Sequence, residues 1–237
     1  PTMGEGAHAL LAWQPAPGKH PDVPDALGSG QMGHVTIEVD RVALDAIRLD
    51  VLPGTEDARG DLTTSPPLDT ALLAFGLGHR SQGNRPGLAV NEQSWVPTKR
   101  TEATLVLEAD KRPVLVAPGI PVEPRAGLSL VQFPVLARDG ELTELARQIG
   151  DHRKRAALCF DAAGHLLVGR LDLDTSAPLV EVLLGAGCQL VIALDRGSHH
   201  PAFVARSGVD AAPTRLDQSL LLAYRRELPT RGYHWQP

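Results

Sequence analysis

The sequence predicts an α+β fold: a single domain with a mixed β-sheet, hairpins and a β-α-β unit near the C-terminal half. Three observations predict it. Gly 23 and Pro 20 together make about 18% of the 237 residues, against an average near ~12%, which favours many short strands joined by turns. Apolar and polar residues alternate in several short runs, the period of a half-buried strand. Two stretches in the second half carry helical spacing, and one of them leads into an unbroken apolar strand, Cys188 to Leu194, of the kind that is buried on both faces.

The elements follow in order. Residues 1–33 are rich in Pro and Gly and read as a lead-in segment, with 34–237 as the single domain. The lead-in contains Gly28-Ser29-Gly30-Gln31-Met32-Gly33, which spells G-x-G-x-x-G. A dinucleotide loop must follow a strand and open a helix, whereas Pro-rich sequence precedes this one and a strand follows, so it is not read as a nucleotide site. Val35, Ile37 and Val39 alternate with Thr36, Glu38 and Asp40, and Ile47, Leu49 and Val51 repeat the pattern. Two half-buried, neighbouring strands are expected there.

Strands are also expected at Gly87 to Val90, Ala103 to Leu107 and Pro113 to Ala117, the last two joined at Asp110-Lys111. Leu142, Leu145, Ala146 and Ile149 have the spacing of a one-sided helix over 141–149, ended by Gly150. Asp161-Ala162-Ala163-Gly164 between two apolar runs is a strand-turn-strand signature. Thr175 or Ser176 can then cap a helix that holds Pro178 and Glu181 early and closes at Gly185 and Gly187. Leu220 to Tyr224 reads as the last strand.

Composition excludes several functions. Hydrophobic residues at 43% and charged ones at 22% are an ordinary globular balance. Lys and Arg number 23 against 28 Asp and Glu, and no run of Lys or Arg stands out, so neither nucleic acid nor an anionic membrane surface is an expected partner. The longest apolar runs fall far short of the roughly 20 residues a membrane span needs. The chain opens at Pro1 without a charged-then-apolar leader, so either a leader was removed or the sequence was trimmed, and export is neither shown nor excluded. Cys159 and Cys188 lack metal-site spacing; buried free thiols are the leading expectation, and one disulfide, implying an oxidising compartment, is the alternative.

Chemistry is expected where the apolar strand ends in Asp195-Arg196-Gly197-Ser198-His199-His200. Ligands collect outside the carboxyl ends of strands, where side chains and backbone amides converge. This segment offers a carboxylate, a guanidinium, a hydroxyl and two imidazoles; its bland alternative is a polar turn with the His pair in solvent. Gly76 to Ser81, with His79 and Arg80, is a second candidate, or else an ordinary glycine-rich connection. Arg155, within Arg153-Lys154-Arg155, is either a solvated strand entrance or, beside Asp195, an anion clamp. The His residues show no paired-ligand spacing, so neither metal nor cofactor is expected.

The order of three segments resembles the phosphodiester glycosidase family. Val131-Gln132-Phe133-Pro134-Val135-Leu136-Ala137-Arg138-Asp139-Gly140 is similar to its "Q-x-x-P-x-L-v-x-D-G" element. Arg155-Ala156-Ala157-Leu158-Cys159-Phe160-Asp161-Ala162-Ala163-Gly164 is similar to its "R-T-A-I-G-x-D-x-x-G" hairpin. Gly187 to Ser198 resembles its "G-A-x-x-A-L-N-L-D-G-G-G-S" run. The family's "N-G-G-F-F" stands here as Ala74-Phe75-Gly76-Leu77-Gly78-His79, and Arg196 and His199 replace small residues in the glycine-rich loop.

The resemblance implies a divergent glycosidase-type hydrolase acting on a sugar phosphodiester or a surface or exopolysaccharide. By the resemblance Arg155 and Asp195 would be catalytic residues of the active cleft, with Gly197 and Ser198 in its glycine-rich, substrate-binding loop. The residues themselves add His199 and His79 as catalytic proton carriers near neutral pH, and Arg80, Arg196 and His200 as substrate-binding groups. The two departures equally suit a catalytically inactive member that binds a glycan or a protein partner in an envelope or secreted assembly. Carbohydrate or sugar phosphate is the implied ligand, and the periplasm or the exterior the implied location.

Overall fold

The alternation over 35–42 and the apolar runs of the second half become strands, while most helical spacing does not. The computed structural model describes residues 11–15, 25–32, 34–52, 71–77, 87–90, 93–108, 111–150, 154–194, 204–206 and 219–226. An eight-stranded sheet holds β1 (Ala12–Pro15), β2 (Asp25–Met32), β3 (Val35–Ala43), β11 (Val135–Arg138), β12 (Glu141–Leu142), β13 (Lys154–Asp161), β14 (His165–Asp172) and β15 (Cys188–Ala193). Its spatial order is β1-β2-β3-β14-β13-β15-β11-β12. A four-stranded sheet runs β16 (Val204–Arg206), β5 (Leu73–Gly76), β17 (Leu220–Arg225), β4 (Ile47–Leu52). The third, five-stranded, runs β7 (Gln93–Val96), β6 (Leu88–Val90), β10 (Leu128–Phe133), β8 (Ala103–Glu108), β9 (Val114–Val116).

The architecture is essentially all-β, which corrects the expected α+β fold with a mixed sheet. Every strand pairing among the described residues is antiparallel. Two helices are present there, α1 (Glu144–Arg147) and α2 (Ala177–Gly185). The physical reasons are local. Asp139 and Gly140 both take positive φ, 54° and 83°, and fold Glu141–Leu142 back onto β11, so the helix expected over 141–149 keeps a single turn. Leu145 and Ile149, expected on its apolar face, are exposed.

The expected β-α-β unit is altered rather than absent. α2 does connect β14 to β15, and these strands point the same way, but β13 lies between them and bonds both antiparallel. The tight Asp161–Gly164 turn, with Gly164 at φ 86°, brings β13 beside β14 and so forbids a parallel pair. β3 and β4 are likewise not neighbours: β3 joins β14 and β2, whereas β4 joins β17. Alternation fixes which side of a strand is apolar but not its partner. Gly28 to Met32 lie inside β2, with β3 alongside.

The interior has two layers. Val42, Leu158, Leu166 and Val168 on one face of the large sheet meet Ile47, Leu49, Phe75 and Leu221 of the four-stranded sheet and Leu88, Leu105 and Phe133 of the five-stranded one. On the opposite face, Ile37, Val39, Ala157 and Leu167 meet Leu179 and Leu183 of α2. Each such side chain contributes about 1.5–3 kcal/mol of burial. Gly169 of β14 lets α2 approach, since a Cβ there would collide with Leu179. Cys159 and Cys188 are joined in a disulfide across β13 and β15, with Cα atoms 6.0 Å apart, which corrects the free-thiol expectation. No described helix is long and apolar enough to cross a membrane.

Candidate active site

With both faces of the large sheet packed by apolar side chains, polar groups gather at strand ends. One such gathering is a cavity of about 320 Å³ lined by Thr36, Glu38, Lys154, Arg155, Arg170, Leu171, Asp172 and Val204. It sits where the start of β13 and the ends of β14 meet β16 of the four-stranded sheet. β3 and β14 supply its acid-base pair because Glu38 and Arg170 are direct cross-strand partners. The Arg170 Nε donates to Glu38 Oε2 at 2.6 Å, and its Nη1 donates to the Val204 carbonyl at 3.2 Å, tying the two sheets together.

Behind the cavity wall lies a buried ion pair. Arg206 of β16 donates from Nε to Asp40 Oδ1 at 2.7 Å and from Nη2 to Asp40 Oδ2 at 3.0 Å. Its Nη2 is also 3.6 Å from Glu38 Oε2. Burial pushes the Asp40 carboxyl above its ordinary range, and the Arg206 fork pulls it down without cancelling the effect.

Arg155 is the one sequence-predicted site residue within the described structure. It is half-buried, lines the cavity, and donates from Nη2 to the Asp174 carbonyl at 2.5 Å. Gly150 makes room for it, because a Cβ there would collide with its guanidinium. The other candidates, Asp195, Arg196, Gly197, Ser198, His199, His200, His79 and Arg80, lie outside the described residues. Described backbone on either side of them pairs with residues of this cavity or their neighbours. Leu194, just before Asp195, donates its N–H to Ala156, the neighbour of Arg155. Val204, at the far end of that segment, is a cavity wall residue paired with Phe75, and β5 ends at Gly76, ahead of His79.

Sequence reasoning missed Thr36, Glu38, Arg170 and Asp172 as cavity residues. The signal was present in Glu38 and Asp40, the polar half of that alternation, because the same face carries Val42 into the core. Among the described residues no group of three or more His, Cys, Asp or Glu is placed to hold a metal ion.

No family profile matches the sequence, and no curated protein sequence matches it. Solved structures do. The chain superposes on the catalytic domain of zebrafish N-acetylglucosamine-1-phosphodiester α-N-acetylglucosaminidase, auto-inhibited by its pro-peptide, with a TM-score of 0.56. In fold, this chain is similar to a glycosidase. The match covers 91% of this chain and 88% of that one at 14% identity, so the likeness is one of fold. A protein of Burkholderia pseudomallei K96243, provisionally described as exported, matches over 84% of this chain and 55% of its own, at 14% identity and a TM-score of 0.33.

Proposed function

We propose that this chain is a divergent glycosidase-type hydrolase acting on a sugar phosphodiester or a surface polysaccharide at the cavity beside Arg155. The observation that carries the reading is the strand register. Leu194 bonded to Ala156, with Val204 in the cavity wall, supports a site in which the intervening Asp195-to-His200 segment borders Arg155. The ending of β5 against β16 supports His79 and Arg80 at the same rim. The glycosidase-like fold agrees with it.

In this reading Asp195 serves as acid, base or stabiliser of the developing carbocation, and water adds to the anomeric carbon as the bond to the leaving oxygen breaks. The departing phosphate keeps the bonding electron pair as an anion, held by Arg155 with Lys154 beside it. His199 or His79 takes the proton from the attacking water and releases it to solvent, which an imidazole does near neutral pH. Arg80, Arg196, Gly197, Ser198 and His200 hold the substrate. The Cys159–Cys188 disulfide supports an oxidising compartment, the periplasm or the exterior.

One observation favours a second reading, an inactive member that binds a glycan or a protein. Both guanidiniums lining the cavity are already engaged, Arg170 by Glu38 and Arg155 by the Asp174 carbonyl. A screen on chromogenic and phosphodiester-linked sugars decides between them. The hydrolase reading expects turnover that Asp195→Ala lowers about 100-fold or more, the usual worth of a positioned acid or base, and that Arg155→Ala lowers for phosphodiesters in particular. Turnover unchanged in both variants removes the site, and binding without turnover selects the second reading.

A further inference from the structure

At the other end of β3, β13 and β14 lies a second cavity, of about 340 Å³, lined by Trp13, Arg41, Asp161, His165 and small residues of the 161–164 turn and the end of α2. It shares no lining residue with the first. Its polar groups are arranged unusually. A cavity that holds an arginine and an aspartate would ordinarily pair them, yet Asp161 is consumed by His165: Oδ1 accepts the His165 backbone N–H at 2.8 Å and Oδ2 meets Nδ1 at 2.9 Å. Arg41 instead stacks on Trp13, its Cζ 4.2 Å from the ring centroid, and makes no hydrogen bond or ion pair among the described residues. The indole is itself fixed, since it rests on Gly28, where a Cβ would come within 3.0 Å of it.

This combination pre-organises a donor set. Stacking holds the planar guanidinium while leaving its N–H donors for a bidentate partner, and the entropy of ordering a long side chain is already spent. The Nδ1 contact with Asp161 Oδ2, with Asp161 itself held by the His165 backbone N–H, fixes the His165 ring and leaves Nε2 without a partner among the described residues. Ala162, Ala163, Ala186 and Gly187 keep the space open. A fork of N–H donors at fixed geometry matches the paired oxygens of a carboxylate or phosphate. The volume, near the lower bound of about 300 Å³ for ligand sites, suits a ligand of monosaccharide size. We propose that this cavity is a second, non-catalytic binding site for a small ligand bearing a carboxylate or phosphate, with Arg41 as its anchor and His165 as the neighbouring contact.

The test is calorimetric titration of the full chain at low ionic strength with inorganic phosphate, glucuronate and, as an uncharged control, glucose. Phosphate or glucuronate is expected to bind saturably and glucose not to bind. Arg41→Met is expected to weaken binding about tenfold or more, as is Arg41→Lys, which keeps the charge but loses the fork. His165→Gln weakens it about threefold, and Arg125→Met, a remote exposed cation on Glu108, leaves it unchanged. Binding of one anion alone tells which oxyanion the site takes and upholds it. No saturable anion binding by the wild type, equal binding by Arg41→Lys, or an equal loss in Arg125→Met overturns it. Arg41→Lys also decides the matter should Arg41→Met fail to fold. The readout is binding alone, so it stands apart from any hydrolysis at the first cavity.

Discussion

Replacing Arg206 by Met removes one partner of an ion pair in which Arg206 is 6% and Asp40 4% exposed. The methionine fills most of the space, so the change isolates the charge. Leaving a carboxylate buried without its partner costs about 3–5 kcal/mol. At about 2–4 °C per kcal/mol for a chain of this size, the midpoint should fall by roughly 10 °C at pH 7. The loss should also depend on pH in a defined direction. Burial already holds the Asp40 carboxyl above its ordinary range, and without Arg206 that effect is opposed only by the weaker pull of the Arg170 charge. A carboxyl whose folded pKa exceeds its unfolded one binds its proton more tightly when folded. Its contribution is therefore fully present below the unfolded value and declines as pH rises through the folded value. The penalty of Arg206→Met should accordingly shrink at pH 5 and grow at pH 8. Urea unfolding followed by circular dichroism measures it, with Arg206→Met/Asp40→Leu expected to regain most of the loss. Arg112→Met, whose partner Asp45 is exposed, serves as the control worth about 0–1 kcal/mol. A loss below about 1 kcal/mol at pH 7, or one equal at pH 5 and pH 8, would refute the reasoning.

Three further outcomes follow from the packing. Asp40→Asn removes the titration, so the stability of the wild type relative to this variant should decline as pH rises above about 4, measured by thermal melts in a pH series. Cys159→Ala/Cys188→Ala opens a covalent loop of sequence separation 29, worth about 3–4 kcal/mol by loop entropy, and the reduced wild type should match the double variant in urea. Gly169→Ala drives a methyl into Leu179 and should cost about 1–3 kcal/mol by overpacking between β14 and α2, with Gly169→Ala/Leu179→Ala partly relieved in the same assay.

What the sequence made legible was whatever a local signal determines. The β13–β14 hairpin followed from the Asp161–Gly164 turn, and α2 from Ser176, Pro178 and the closing glycines, because each needs only neighbouring residues. The Asp139–Gly140 turn was equally local and went unread in favour of helical spacing, although Asp-Gly is a strong hairpin signal. Strand partnership was not legible. β4 finds β17 from the far end of the chain, and nothing in Ile47 to Leu52 encodes that choice. The disulfide was hidden for a related reason. Two buried apolar-flanked cysteines look the same as thiols or as a bridge until register sets Asp161 opposite Cys188. Of the candidate site, Arg155 was legible as a cavity residue, but its bond to Asp174 depends on the loop ahead of α2, which carries no such pattern.

The location of both cavities follows from the same constraint. A sheet packed on both faces leaves no room for charge in mid-strand without an ion pair of the Asp40–Arg206 kind, so ligand-facing groups are driven to strand ends. On β13 these ends are Lys154 and Asp161, seven steps apart at about 3.3 Å each, which sets the cavities roughly 20 Å from one another. Groups that far apart, with a rigid apolar layer between them, are expected to act independently, because separated sites add within a few tenths of a kcal/mol. Arg41→Met should therefore leave turnover of any sugar phosphodiester unchanged, and Arg155→Ala should leave anion binding at Arg41 unchanged. Measuring both variants in both assays tests this directly. A change of more than about threefold in either crossed measurement would mean that the central strands transmit ligand occupancy from one end to the other.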